Sequence, residues 1–190
     1  MVKGSYYYQR ETWKNPDNDT LKQRMVEWRK SPVIVRVEKP LKLHRAHELG
    51  YKAKKGIIVV RVRLIRGGRK KPRPEKGRRS KRMTIKKILK MNYREVAEQR
   101  VARKYPNMEV INSYQIGKDG MHYFFEVILA DRNAPEIKSD KQLSYVSNSP
   151  KNKSFRGITS AGKRARGLRN SSIKAPKVRP SLRANRRRGN

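Results

Sequence analysis

After Asp140 the chain runs for fifty residues without an aspartate or glutamate, and it closes on the arginine-rich run RANRRRGN. A stretch with no acids cannot neutralise its own charge, and an exposed compact body so charged repels itself. A second stretch has the same character. From Arg66 to Arg82, RGGRKKPRPEKGRRSKR holds ten basic residues in seventeen and a single acid, Glu75. Over the 190 residues, 51 Lys and Arg face 15 Asp and Glu, a net charge of +36. The fold therefore needs a polyanion beside it: nucleic acid, an anionic membrane surface or acidic protein.

Other features narrow the class. There is no cysteine, which excludes a disulfide framework and a thiolate metal site. The start, MVKGSYYYQRETW, has no apolar core of a signal peptide, and no apolar run reaches the roughly 18 residues of a membrane span. A soluble, intracellular protein of the cytoplasm is expected, with no membrane partner.

Outside the two basic stretches, acids lie among apolar segments with clear periods. Asn15-Pro16 reads as a helix start, with Asn15 as N-cap and Pro16 in the first turn, followed by Leu21, Met25 and Trp28 on one face. Residues 4–14 read as a shorter helix before it. PVIVRVE is a strand with Val33, Val35 and Val37 on one face. GIIVVRVRLI is a stronger one, with Ile58, Val60, Val62 and Leu64 on one face and Arg61 and Arg63 on the other. From about Thr84 to Tyr105 the period is helical, through Ile85, Ile88, Leu89, Tyr93, Val96, Ala97 and Val101, until Pro106. MEVINSYQI and MHYFFEVIL form a hairpin across GKDG. The order is that of an α+β fold, with a largely antiparallel sheet and packed helices. The expected organisation is a globular core over 1–145, interrupted by a basic loop at 66–83, and a basic extended tail over 146–190. Neither basic stretch has the apolar content to fold alone.

The segment GITSAGKR, Gly157 to Arg164, has the spacing of a phosphate-binding P-loop. Its context argues against a nucleotide site. No buried strand precedes it, Arg164 stands where Ser or Thr would hold magnesium, and no acid follows. Its glycines and cations suit a polynucleotide's phosphates better. His44 and His47 form an H-x-x-H pair with only Glu48 nearby, too few ligands for a metal. Tyr6, Tyr7, Tyr8 and Trp13 can stack on bases, but packing is the simpler role. Phe124 and Phe125 point to opposite faces of their strand and belong in a core. The acids sit singly, so no catalytic set is assembled.

The polynucleotide-contact candidates are therefore the cations of the basic stretches and of the strand leading into the first: Arg61, Arg63, Arg66, Arg69, Lys70, Lys71, Arg73, Arg78, Arg79, Lys81 and Arg82, then Arg156, Lys163, Arg164, Arg166 and Arg169. Arginine suits bidentate contact with phosphates.

LGYKAKKGIIVVRVRLIRGGRKKP, Leu49 to Pro72, resembles the signature of the e-type large-subunit ribosomal protein fifteen of archaea and eukaryotes. Its elements here are Leu49, Gly50, Tyr51, Gly56, Ile57 to Val60, Arg61, Arg63, Arg66 and Gly67. VINSYQIGKDGMHYFFEVIL and RGITSAGKRARGL are similar to that family as well, in the same order. The lead-in His44-Arg45-Ala46-His47 departs from the family's acidic-basic-Ala-Arg pattern, and the short C-terminus points to the archaeal branch. The resemblance implies a β-α-β-α-β-β core and a structural, non-enzymatic role. The partners it implies are 23S-type large-subunit rRNA and neighbouring large-subunit proteins. It implies no small-molecule substrate and no cofactor, apart from magnesium ions that accompany rRNA. Two rival classes are a DNA-compacting chromatin protein and an RNA-processing factor.

Overall fold

The computed structural model describes residues 2–70, 86–87, 89, 91–170 and 178–186. In chain order its elements begin with α1 (Ser5–Lys14), α2 (Asn18–Lys30), β1 (Ile34–Val37), α3 (Leu43–Glu48) and β2 (Ile57–Ile65). Next come the short strands β3 (Arg69–Lys70) and β4 (Lys86–Lys87), then α4 (Tyr93–Lys104), β5 (Met108–Lys118) and β6 (His122–Asp131). Three short helices follow: α5 (Pro135–Lys138), α6 (Tyr145–Asn148) and α7 (Ser160–Ala165).

Four strands form one sheet in the order β1-β2-β6-β5, with every neighbouring pair antiparallel. The order β1-α3-β2-α4-β5-β6 matches the expected α+β arrangement. Strand alternation divides the core into two layers. Val60, Val62 and Leu64 of β2 join Phe125, Val127 and Leu129 of β6 beneath Ala97 and Val101 of α4. Ile57 and Val59 of β2, with Phe124 and Ile128 of β6, pack on the other side against α2, α3, α5 and α6. Phe124 meets Trp28 of α2 edge-on at 5.2 Å. Both phenylalanines are thus buried, one in each layer, and MHYFFEVIL offers no stacking surface.

Two helix starts differ from the sequence reading. Asp17, not Asn15, caps α2: its carboxylate accepts from the amides of Asp19 and Thr20, both at 3.2 Å. Asn15 instead ends α1. The helix expected from about Thr84 begins at Tyr93, because the Asn92 side chain accepts from the Glu95 amide at 2.8 Å and fixes the first turn there. Lys86 and Lys87 upstream pair in a ladder with Lys70 and Arg69 instead. Ile85 and Ile88 lie outside the described residues, whereas Ala97 and Val101 are buried as expected.

The chain from Lys151 to Asn170 has no apolar period, yet its first part packs closely, through polar contacts. Glu109 of β5 accepts from the amides of Asn152 (2.6 Å) and Lys153 (3.2 Å). From α4, Asn92 donates to the Ala161 carbonyl at 2.8 Å and Gln99 to the Ser154 carbonyl at 3.5 Å.

Candidate nucleic-acid interface

GITSAGKR is a folded corner. Gly157 has φ +63°, and a Cβ built on Gly162 would lie 2.6 Å from the Gly157 Cα. The two glycines therefore press backbone to backbone, a contact no side chain permits. Between them Thr159 is fully buried. Its hydroxyl oxygen accepts from the Gly162 amide at 3.1 Å, capping α7, and it donates to Glu98 Oε2 at 2.6 Å. Arg166 folds back to donate to the carbonyls of Gly157 (3.2 Å) and Pro180 (2.9 Å). Turns, not a strand, precede the corner. The glycine spacing that resembles a P-loop is a packing requirement. Lys163, Arg164 and Arg169 project into solvent from this corner.

Several other candidate cations hold the protein together. Arg61 lies over the Trp28 ring, 5.1 Å from its centroid, and Arg63 donates to the Arg29 carbonyl in a close hydrogen bond. Both tie β2 to α2. Arg66 donates to the Asp119 carbonyl at 2.6 Å and covers the Tyr123 ring. Arg156 donates to the Pro150 carbonyl at 2.7 Å, though it and Arg66 remain exposed. Arg69 and Lys70 pair with Lys87 and Lys86 in the backbone ladder of β3 and β4. Lys71, Arg73, Arg78, Arg79, Lys81 and Arg82 lie outside the described residues.

Four acids are turned inward. Glu95, Glu98, Glu126 and Asp140 are all buried. Glu98 accepts from the Ser113 hydroxyl at 2.5 Å as well as from Thr159, and burial pushes its carboxyl above the ordinary range. Burial does the same to Glu126, which accepts from the Leu41 amide at 3.1 Å and from the Tyr114 hydroxyl. Hydrogen bonds from Lys52 (2.8 Å) and Lys54 (2.8 Å) hold Asp140 well below its usual value. Burying these four removes their charge from the surface. Among the described residues, no group of three His, Asp or Glu is arranged to hold a metal ion. His44 and His47 turn to different neighbours, Tyr6 and Tyr51.

One cationic grouping escaped the reading by runs. Arg94 of α4 donates to Asn112 Oδ1 at 2.8 Å and to the Ser113 hydroxyl at 3.2 Å. Burial disfavours its charge, Glu98 favours it, and Arg45, Arg164 and Arg169 are near enough to oppose it electrostatically. With Arg94, these cations come from α3, α4 and the α7 corner. Isolated arginines carry no local signal, and only the tertiary fold collects them.

A surface of cations drawn from distant segments defines the class of a structural RNA-binding protein. Comparison of sequences agrees. The Ribosomal L15 family profile matches residues 4–185. The large ribosomal subunit protein eL15 of Methanocorpusculum labreanum is 47% identical over 194 residues, with 100% of each chain covered. The chain belongs to the Ribosomal L15 family and is a structural protein of the large ribosomal subunit, as its resemblance to the e-type family implies. No helix among the described residues is long and apolar enough to cross a membrane.

Proposed function

We propose that this protein holds segments of 23S-type large-subunit rRNA together in the cytoplasm, beside neighbouring large-subunit proteins. The globular core over 1–145 docks on the folded RNA, and the basic stretches at 66–83 and 146–190 supply the phosphate contacts that bridge its segments. The observation that carries this reading is the α7 corner. Lys163, Arg164 and Arg169 are exposed on a rigid turn, in a stretch without a single acid to pair with them. The ten basic residues against one acid between Arg66 and Arg82 support the same role for that stretch. Each neutralised phosphate releases counterions, so binding is steeply salt-dependent.

The test is the affinity for large-subunit rRNA fragments against salt, for wild type and for Arg69, Lys70, Lys71 and Arg73 changed together to Ala. The variant should bind more weakly, with a slope flatter by up to about four units. Circular dichroism checks that the core is intact. An unchanged slope with a folded core removes the loop from the RNA interface. Binding to duplex DNA as tight as to structured rRNA would favour DNA compaction instead.

A further inference from the structure

Helix α1 buries none of its residues, yet it is held in place. Tyr6 donates to Glu48, and its ring meets His44 edge-on at 6.2 Å. The Lys42 ammonium lies over the Trp13 ring, 4.6 Å from its centroid. Between α1, residues 42–45 and β5 these contacts leave a cleft of about 330 Å³. That is within the size range of sites that seat small polar groups.

The lining of this cleft is one-sided in charge: it includes Arg10, Lys42, Arg45 and Arg94, and no aspartate or glutamate. Arg45 is paired with Glu48, and Arg94 is committed to Asn112 and Ser113. Arg10 and the Lys42 ammonium have neither hydrogen bond nor ion pair among the described residues. His44, only 8% exposed, also lines the cleft, and its Nδ1 is buried without a hydrogen-bond partner. A buried polar atom left unpaired is costly and marks the place of a missing partner. Burial lowers the affinity of both Lys42 and His44 for their protons, and an anion seated beside them would favour their charged forms.

We infer that this cleft seats one phosphodiester of the RNA, contacted by Arg10, Lys42 and the Nδ1–H tautomer of His44, with the attached nucleoside against Trp13. The inference rests on the rRNA-binding reading above and adds a site to it. An acidic side chain of a neighbouring protein would satisfy the same cations locally. Cations do not stop at the cleft, however: Arg94 is also within electrostatic reach of the exposed Arg164 and Arg169 of the α7 corner. Cations spread over several segments fit a chain of phosphates better than a single carboxylate.

The experiment uses the full chain and full-length transcribed large-subunit rRNA. Affinity is measured against potassium chloride concentration for wild type and for Arg10→Gln/Lys42→Gln. Ultraviolet cross-linking and mass spectrometry locate nucleotide adducts. The double variant should have a slope flatter by about one unit, the share of one phosphate. Wild type should yield adducts on the peptides carrying Trp13 or His44, and the double variant should lose them. Arg10→Lys/Lys42→Arg should restore both. Should the double variant fold poorly, the exposed Arg10→Gln alone carries the test. A wild-type slope in the folded variant, or a wild type that binds without adducts in those peptides, overturns the inference. A wild type that does not bind the rRNA overturns the functional reading itself.

Discussion

Thr159 donates to Glu98 across 61 positions of sequence, at 2.6 Å, and neither residue has measurable contact with solvent. The same hydroxyl accepts from the Gly162 amide. One oxygen thus caps α7 and anchors it to α4. Thr159→Val keeps the shape and removes both bonds, leaving a buried carboxylate oxygen and a helix-end amide unpaired. The loss should be about 2–4 kcal/mol of unfolding free energy. Urea unfolding checks it, and Thr159→Ser should recover most of the loss. Equal stability of the Val and Ser variants would show that the hydroxyl does not matter.

The glycine pair makes a sharper steric prediction. A Cβ at Gly162 meets backbone atoms of Gly157, which cannot swing aside as a side-chain tip can. Gly162→Ala should therefore cost about 1–3 kcal/mol or more, as overpacking does in a tight site. A Cβ at Gly120 meets nothing within 4 Å, so Gly120→Ala is the control and should be near neutral. Melting temperatures of the two variants decide the matter. A stable Gly162→Ala protein would mean that the corner is looser than its contacts indicate.

The sheet was legible because β6 is a short apolar run bounded by turn residues and the second half of β2 alternates arginine with Val62 and Leu64, both local signals. The capping of α4 was also written locally, since Asn92 and Glu95 have the spacing of a helix cap followed by an acid at the third position. The longer apolar period through Ile85, Ile88 and Leu89 outweighed it. What could not be read is whatever depends on tertiary partners. Nothing in GITSAGKR announces that its two glycines touch each other or that its threonine faces Glu98. Arg61, Arg63 and Arg166 look like the other cations of their runs, and only the fold shows them spent on Trp28, a carbonyl of α2 and the corner itself. Conversely Arg10, Lys42, Arg45 and Arg94 lie in no basic run, and the fold makes neighbours of them.

The buried carboxyls give stability a defined dependence on pH. Burial raises Glu98 and Glu126 above their ordinary value of 4.5 in the folded state. A folded state that holds protons more tightly than the unfolded chain is favoured while those protons are bound. Their contribution is therefore full below about pH 4.5 and is lost as pH rises through the folded pKa values. Asp119 and Asp140 are shifted the other way, from 3.8 downward, so their contribution is lost only as pH falls below that value. Between the two windows the carboxyls rising above 4.5 dominate. The unfolding free energy of wild type should fall as pH climbs from about 4.5 toward neutrality. Glu98→Gln, which cannot ionise, should flatten that fall. Urea unfolding across pH 4 to 7 measures it. The same slope in both proteins would mean that Glu98 does not titrate in this range.

The last prediction separates cations that face the RNA from cations that build the protein. Lys163, Arg164 and Arg169 are exposed on the α7 corner, while Arg166 between them donates to two backbone carbonyls. Changing the first three together to Ala should leave the melting temperature nearly unchanged, because they hold no part of the core. It should weaken rRNA binding and flatten the salt slope by up to about three units. Arg166→Ala should do the reverse. It removes the strap across Gly157 and Pro180, so thermal stability should fall, while the salt slope of the folded fraction changes by less than about one unit. Arg61→Ala should behave like Arg166→Ala, since its guanidinium covers the Trp28 ring, a contact of about 0.5–1 kcal/mol where exposed and more where buried. The two measurements are a thermal melt and rRNA affinity against salt on the same preparations. If the triple variant melts early and keeps its slope, those three side chains are structural and the α7 corner does not face RNA.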